Sequence, residues 1–192
     1  MIKYSRKLSV AIMMHPKRFK YLPYLVGKLG DVRISVDKIN NIWNTSRRAW
    51  LMYDSKAEYH IVIQDDAIIG KDFIKKAEAM MKEDAIYNFY IGRPRFYHQV
   101  LKAKKEDKKF LIQRNLHHEI AFGMRTNRID EMIKFVEKID PDSDRCINGY
   151  VRAKKLKVIF PMPSLIDHRN EDTLHNLNKG SYKKKATWFI GE

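Results

Sequence analysis

Asp65 and Asp66 stand side by side at the end of an apolar run, EYHIVIQDDAIIG over residues 58–70. Two adjacent carboxylates leaving a buried strand repel each other and titrate abnormally unless a cation or a basic group lies between them. Hard oxygen donors in that position suit Mg²⁺ or Mn²⁺ that also holds a diphosphate. The plainer alternative is a strand-to-turn junction in which one aspartate caps the next helix, since Asp is frequent in turns. A second chemical cluster, Asp167-His168-Arg169, follows Pro161-Met162-Pro163. A proline-stiffened segment that delivers an acid, an imidazole and a guanidinium after a strand is an unusual linker. His15 and Arg18 make a third group at a strand-to-helix loop, where backbone amides and a cation can meet a phosphate. His15 could equally cap a helix or fill a core.

The elements that must position these groups follow from hydrophobic pattern. Tyr59, Ile61, Val62 and Ile63 predict a central strand of a parallel sheet covered on both faces. Ligands of such sheets collect beyond the carboxyl ends of the strands. Upstream, residues 8–14 (LSVAIMM) predict a first buried strand ending at His15-Pro16-Lys17-Arg18. A helix of about a dozen residues then begins near Leu22, with Leu22, Leu25, Val26 and Leu29 inward, Pro23 in its first turn and Gly30 closing it. Residues 32–36 (VRISV) predict a second strand ending in Asp37, placed either to accept hydrogen bonds from a ribose or base edge or to cap the next helix. Residues 41–54 predict a helix on which Trp43 and Arg47, four apart, are surface neighbours; packing plus a solvated arginine is the plainer reading of that pair.

Downstream, the pattern predicts a helix over 71–81, a strand over 85–91, a weakly periodic basic loop or insertion over 94–116 and a strand over 117–124. An amphipathic helix over 127–139, an acidic turn at Asp140, Asp142 and Asp144 that opens another helix, and a last strand over 157–160 complete the order. Helix capping accounts for one acid of that turn but not for three.

The 192 residues fit one domain with a proper core, and 44% hydrophobic content excludes a disordered chain. No apolar run approaches the roughly 20 residues that span a bilayer, and no signal peptide precedes the first strand, so no membrane insertion is expected. The single cysteine, Cys146, excludes an internal disulfide, which makes a reducing, cytoplasmic compartment the expected one. Against 23 acidic residues stand 38 Lys and Arg, a net charge of +15 that calls for an anionic partner: nucleic acid, an acidic membrane surface or a nucleotide. The surplus thickens at 102–109 (KAKKEDKK), at 152–157 and at 179–185 within a basic C-terminal segment over 170–192. Any one of these clusters is ordinarily a solvated face; three together point further.

His15-Pro16-Lys17-Arg18, Trp43 with Arg47, Gln64-Asp65-Asp66, Asp144 and Pro163-Ser164-Leu165-Ile166-Asp167-His168, in this order, resemble the nucleotide-sugar glycosyltransferases of the GT-A fold. More narrowly, they resemble the phage-associated group linked to TET/JBP-type hydroxylases, thought to glycosylate hydroxymethylated pyrimidines in DNA. The resemblance spans roughly residues 8–190; the acidic motif departs from it, being Gln-Asp-Asp and not a strict Asp-x-Asp, so either acid could be the main metal contact. It implies an α/β, Rossmann-like single domain with a mostly parallel sheet and helices on both faces. It also implies Mn²⁺ or Mg²⁺ held by Asp66 and His168, with Asp65 beside them, and a nucleotide-sugar donor of the UDP-sugar type gripped by His15, Arg18, Asp37, Trp43 and Arg47. Asp144 would be the catalytic carboxylate, with a helix cap as its plainer role. The implied acceptor is 5-hydroxymethylpyrimidine in phage DNA, in the host cytoplasm. A lipopolysaccharide or other glycan acceptor, and a non-catalytic DNA-binding protein, are the alternatives.

Overall fold

The computed structural model describes residues 7–92, 94–117, 119–139, 146–169 and 185–191. Within them the fold is α/β. Strands β1 (Leu8–Met14), β2 (Arg33–Val36), β3 (Tyr59–Gln64), β5 (Ile86–Asn88), β6 (Phe110–Gln113), β7 (Ala121–Arg125) and β8 (Val158–Pro161) form one sheet in the order β2-β1-β3-β7-β5-β8-β6. β4 (Ala67–Ile69) and β9 (Ile166–His168) pair as a small second sheet. Most of the main sheet points one way, and only β6 and β7 run against it. β3 is central as expected, but it is parallel only to β1; its other neighbour, β7, is antiparallel. A strand buried on both faces reads as the same continuous apolar run in either direction, so the sequence carries no sign of that reversal.

Alternation across the strands divides the core in two. Val10, Ile12, Ile61, Ile63, Tyr87 and Ile159 face a layer made by α1 (Leu22–Leu29) and α3 (Phe73–Met80). Ala11, Val62, Phe122, Val158 and Phe160 face α2 (Ile42–Leu51), α4 (Tyr97–Lys105), α5 (Ile129–Ile139) and α6 (Cys146–Ala153). Successive side chains of a strand point to opposite faces, and helices on both sides bury each set. Leu25 and Leu29, one turn apart, are the buried stripe of α1, whereas Val26, expected inward, lies about 100° further round the helix and is 39% exposed. Among the described residues no helix is long and apolar enough to cross a membrane.

The segment over 94–116, expected as a loop or insertion, instead contains α4 and the edge strand β6. Val100 and Ala103 are the only residues of α4 buried in the core, too few for a clear period. β6 pairs antiparallel with β8 and is half exposed, so its apolar pattern is diluted by lysines on either side.

His60 on β3 is fully buried: its Nδ1 lies 2.8 Å from Ser9 Oγ and its Nε2 2.9 Å from Ala49 O, with the Trp50 ring edge-on at 5.6 Å. Burial lowers its pKa to about 4, because a charged imidazole there would lose its hydration. The unfolded chain therefore binds this proton at a higher pH than the folded one, so the folded state loses stability as pH falls below the unfolded value near 6.5. Urea unfolding should show a drop of about 2 kcal/mol between pH 7.5 and pH 5 that is absent in His60→Gln. An equal drop in the variant would assign the acid sensitivity elsewhere.

Candidate functional site

β3 delivers Asp65 and Asp66 from its carboxyl end, directly before β4 begins at Ala67. Both side chains are buried, with only 5% and 4% of each residue exposed. The basic group that two such carboxylates require is Arg18, from the 3-10 turn Pro16–Tyr21 that follows β1. Its Nη1 donates to Asp65 Oδ1 at 2.8 Å and to Asp66 Oδ2 at 2.6 Å. His15 caps the same turn: its backbone N–H donates to Asp65 Oδ2 at 2.7 Å, while its Nδ1 accepts from Lys17 N at 3.1 Å. The parallel register Met13↔Gln64 explains the meeting, since it brings the loop leaving β1 alongside the loop leaving β3.

The small sheet supplies the other wall. Its antiparallel register sets Ala67 opposite His168, and His168 Nε2 lies 3.3 Å from Asp66 Oδ2. The backbone N–H of Arg169 donates to Asp66 O at 2.8 Å. Gly70 N donates to Leu165 O at 2.9 Å, and a Cβ at position 70 would stand 2.7 Å from that oxygen, so only glycine lets the chains approach this closely. The Arg169 guanidinium lies over the rings of Tyr21 and Tyr24, at 4.4 and 4.6 Å, and the Tyr24 hydroxyl accepts from Ile69 N. Asp167 accepts from Ala186 N at 2.6 Å and lies 3.3 Å from Lys185 Nζ, which fastens residues 185–191 beside β9.

Neighbouring carboxylates in one pocket are driven apart. For Asp65, burial raises the pKa and outweighs the His15 amide and Arg18, with Asp66 adding repulsion. Burial also works to raise Asp66, but there the hydrogen bond and charge of His168, together with Arg18, prevail and the pKa is lowered. Burial lowers the Arg18 pKa, yet Asp66 and Asp65 outweigh it and the net shift is upward, so the guanidinium stays charged. Asp66 Oδ1 and His168 Nδ1 are buried without a hydrogen-bond partner among the described residues. Arg18 therefore offsets part of the negative charge of the pocket and leaves two of its atoms unsatisfied.

Asp66 Oδ2 and His168 Nε2, the facing atoms of the two side chains, allow a test of whether the pocket suits a metal ion. Two donors 3.3 Å apart match adjacent ligands of an octahedral ion, about 3 Å apart when each bond is near 2.1 Å. Among the described residues no three His, Cys, Asp or Glu side chains are placed to hold one metal ion together. Two protein donors fit Mg²⁺ or Mn²⁺, which keep water and phosphate oxygens as further ligands, and do not fit a closed structural zinc site.

Of the remaining expected residues, Asp37 adjoins the loop that carries His15, its backbone N–H donating to Met14 O at 2.8 Å. Asp37, at the end of β2, is buried and its Oδ1 accepts from the amides of Ile39 and Asn41, holding the turn into α2. Asn41 and not Asp37 caps that helix. Trp43 packs against the core, and Arg47 Nε donates to Glu137 Oε1 on α5 at 2.6 Å. Asp144 lies outside the described residues. The sequence did not reveal the Arg18 bridge, the pairing of β4 with β9, or the Tyr21–Tyr24–Arg169 stack. The Tyr21, Tyr24 spacing within one helical turn was the available signal for the last.

The sequence matches no family model and no curated protein. Among solved structures the chain is similar to a Drosophila β-1,4-galactosyltransferase 7 mutant in complex with manganese, UDP-Gal and xylobiose. That likeness has a TM-score of 0.47 and 10% identity, over 95% of this chain and 70% of the other. It is similar at the same TM-score of 0.47 and 10% identity to A197 from STIV, over 91% of this chain and all of the other. Likenesses this distant do not bear on the chemistry, which rests on the side chains themselves.

Replacing Arg18 by Met removes the guanidinium shared by two buried carboxylates, leaving Asp66 with His168 and Asp65 with the His15 amide. In the presence of chelator at pH 7, urea denaturation should show a loss of about 3–5 kcal/mol, and Arg18→Met/Asp65→Asn should recover part of it. The deficit of the single variant should shrink on acidification, as one carboxyl takes up a proton. A loss below about 1 kcal/mol would mean that the bridge does not neutralise the pair.

Proposed function

We propose that the chain is a metal-assisted glycosyltransferase that moves a sugar from a nucleoside diphosphate donor to a hydroxyl acceptor. The observation that carries this reading is the cluster of Asp66, His168, Asp65, Arg18 and the His15 loop, gathered beyond the carboxyl end of β3. Asp66 and His168 would hold the cation, with Asp65 beside it. A divalent ion there supplies Lewis-acid neutralisation of the diphosphate as it leaves.

The chain's own residues do the remaining work. Arg18 and the loop at His15 face the diphosphate, and burial of the carboxylates keeps bulk water from screening these contacts. Asp37, at the end of the next strand but one, is the candidate for a ribose or base contact, with Trp43 and Arg47 on the following helix. Asp144 is the candidate base for the acceptor hydroxyl if the reaction inverts, or an orienting group if it retains. It precedes α6, which leads into β8, a strand that runs in the direction of β3.

For the acceptor we favour DNA bearing 5-hydroxymethylpyrimidine. The lysines at the end of α4 support a polyanion. Lys109 O accepts from Met162 N, just beyond β8, and Lys104 lies over the Trp188 ring. Trp188 O in turn accepts from Ser164 N, on the segment leading into β9. Lys102, Lys104, Lys105, Lys108 and Lys109 thus lie toward the sheet end from which Asp66 emerges. Glu106 and Asp107 pair with Lys102, Lys108 and Lys109, so part of this charge is internally spent.

One experiment tests donor, metal and acceptor together. The protein is incubated with a panel of UDP-sugars and hydroxymethylated DNA, with Mn²⁺ or chelator; released UDP and digested nucleosides are then measured by mass spectrometry. Metal-dependent UDP release with a hexose or pentose mass added to the modified nucleoside is expected, and His168→Ala should lower the rate by about 100-fold. UDP release with unmodified nucleosides would move the acceptor to a glycan, and no release from any donor would sink the transferase reading.

A further inference from the structure

Arg18 reaches both carboxylates through one nitrogen. Nη1 lies 2.8 Å from Asp65 Oδ1 and 2.6 Å from Asp66 Oδ2. That Asp66 oxygen is also the one 3.3 Å from His168 Nε2, so the position a cation would share between Asp66 and His168 is adjoined by a guanidinium nitrogen already in contact with the same atom. Two like charges a few ångströms apart in a pocket this buried repel strongly. We infer that Arg18 and a divalent cation are alternative partners of Asp66, so that metal entry releases the guanidinium toward the substrate's diphosphate. This rests on the reading that Asp66 and His168 are the metal donors.

The geometry gives the adjacent aspartates different tasks. Asp65 is fixed by the His15 backbone amide at its Oδ2 and holds Arg18 at its Oδ1. It can keep Arg18 as a pivot after Asp66 lets go. Asp66 has the opposite character: its Oδ1 has no hydrogen-bond partner among the described residues, so an ion in place of Arg18 that engages both carboxylate oxygens leaves one fewer buried atom unsatisfied. The long arginine side chain can move by rotamer changes while Arg18 N keeps its bond to His15 O. Because the freed guanidinium gains a diphosphate to bind, metal and nucleotide each strengthen the other's binding, and by linkage the factor is the same in both directions.

The test is Mn²⁺ binding, read by electron paramagnetic resonance of the free ion, for wild type, Arg18→Met and Arg18→Met/Asp65→Asn, each with and without UDP. The double variant carries the same formal charge in the pocket as wild type, which separates loss of a competing occupant from a gain in negative charge. It also remains testable should the single variant fail to fold. Without UDP, the double variant should bind Mn²⁺ at least about tenfold more tightly than wild type, and Mn²⁺ should raise its melting temperature by more. In wild type UDP should tighten Mn²⁺ binding by a larger factor than in the double variant. If the double variant binds Mn²⁺ no more tightly than wild type while UDP-dependent binding persists, the exchange is overturned and the metal reading stands. If no protein binds Mn²⁺ with or without UDP, the metal reading falls and the exchange falls with it.

Discussion

Two negative charges delivered side by side from the end of a buried strand must be neutralised, and the surroundings of Asp65 and Asp66 are arranged to do so. Each lies almost wholly out of water, where an unpaired carboxylate is costly. The neutralising groups come from two distant parts of the chain, Arg18 near one end and His168 near the other. Neither arrives without its own element being fixed: Arg18 needs β1 parallel to β3, and His168 needs β9 paired with β4. Assembly of the pocket is therefore a consequence of closing the sheet, and it stays incomplete until both pairings have formed.

A position whose charge is partly offset and whose atoms are not all hydrogen-bonded is suited to exchange. Arg18 stabilises the pocket while leaving Asp66 Oδ1 and His168 Nδ1 without hydrogen-bond partners among the described residues. The residues around it are held more firmly: Arg169 by Tyr21 and Tyr24, Asp167 by Ala186 and Lys185, Asp65 by the His15 amide. Rigid walls around one replaceable cation are what a site needs if its ligand set is to be completed by phosphate oxygens.

Much of this was legible in the sequence because the signals were physical. β1, β2, β3, β8 and the longer helices follow from apolar period, and the aspartates at the end of β3 announced a need for positive charge. What escaped has identifiable causes. The antiparallel β7 is buried on both faces, so direction leaves no mark in its pattern. β4 and β9 have three residues each, too short for any period, although the hydrogen bonds between them bring His168 to Asp66. α4 buries only two side chains under a cover of lysines. Asp37 was read as either a ligand contact or a helix cap; it accepts from the amides of the turn before α2, while Asn41 is the cap.

The central claim is that Asp66 and His168 hold a cation which bridges a nucleoside diphosphate. The most direct measurement is a crystal structure grown with Mn²⁺ and UDP, with anomalous diffraction collected at the manganese edge. The account predicts an anomalous peak bounded by the Asp66 carboxylate, the His168 imidazole and the diphosphate oxygens, with Arg18 withdrawn from Asp66. UDP bound with Arg18 Nη1 still bridging both aspartates, and no anomalous peak beside Asp66, would contradict it.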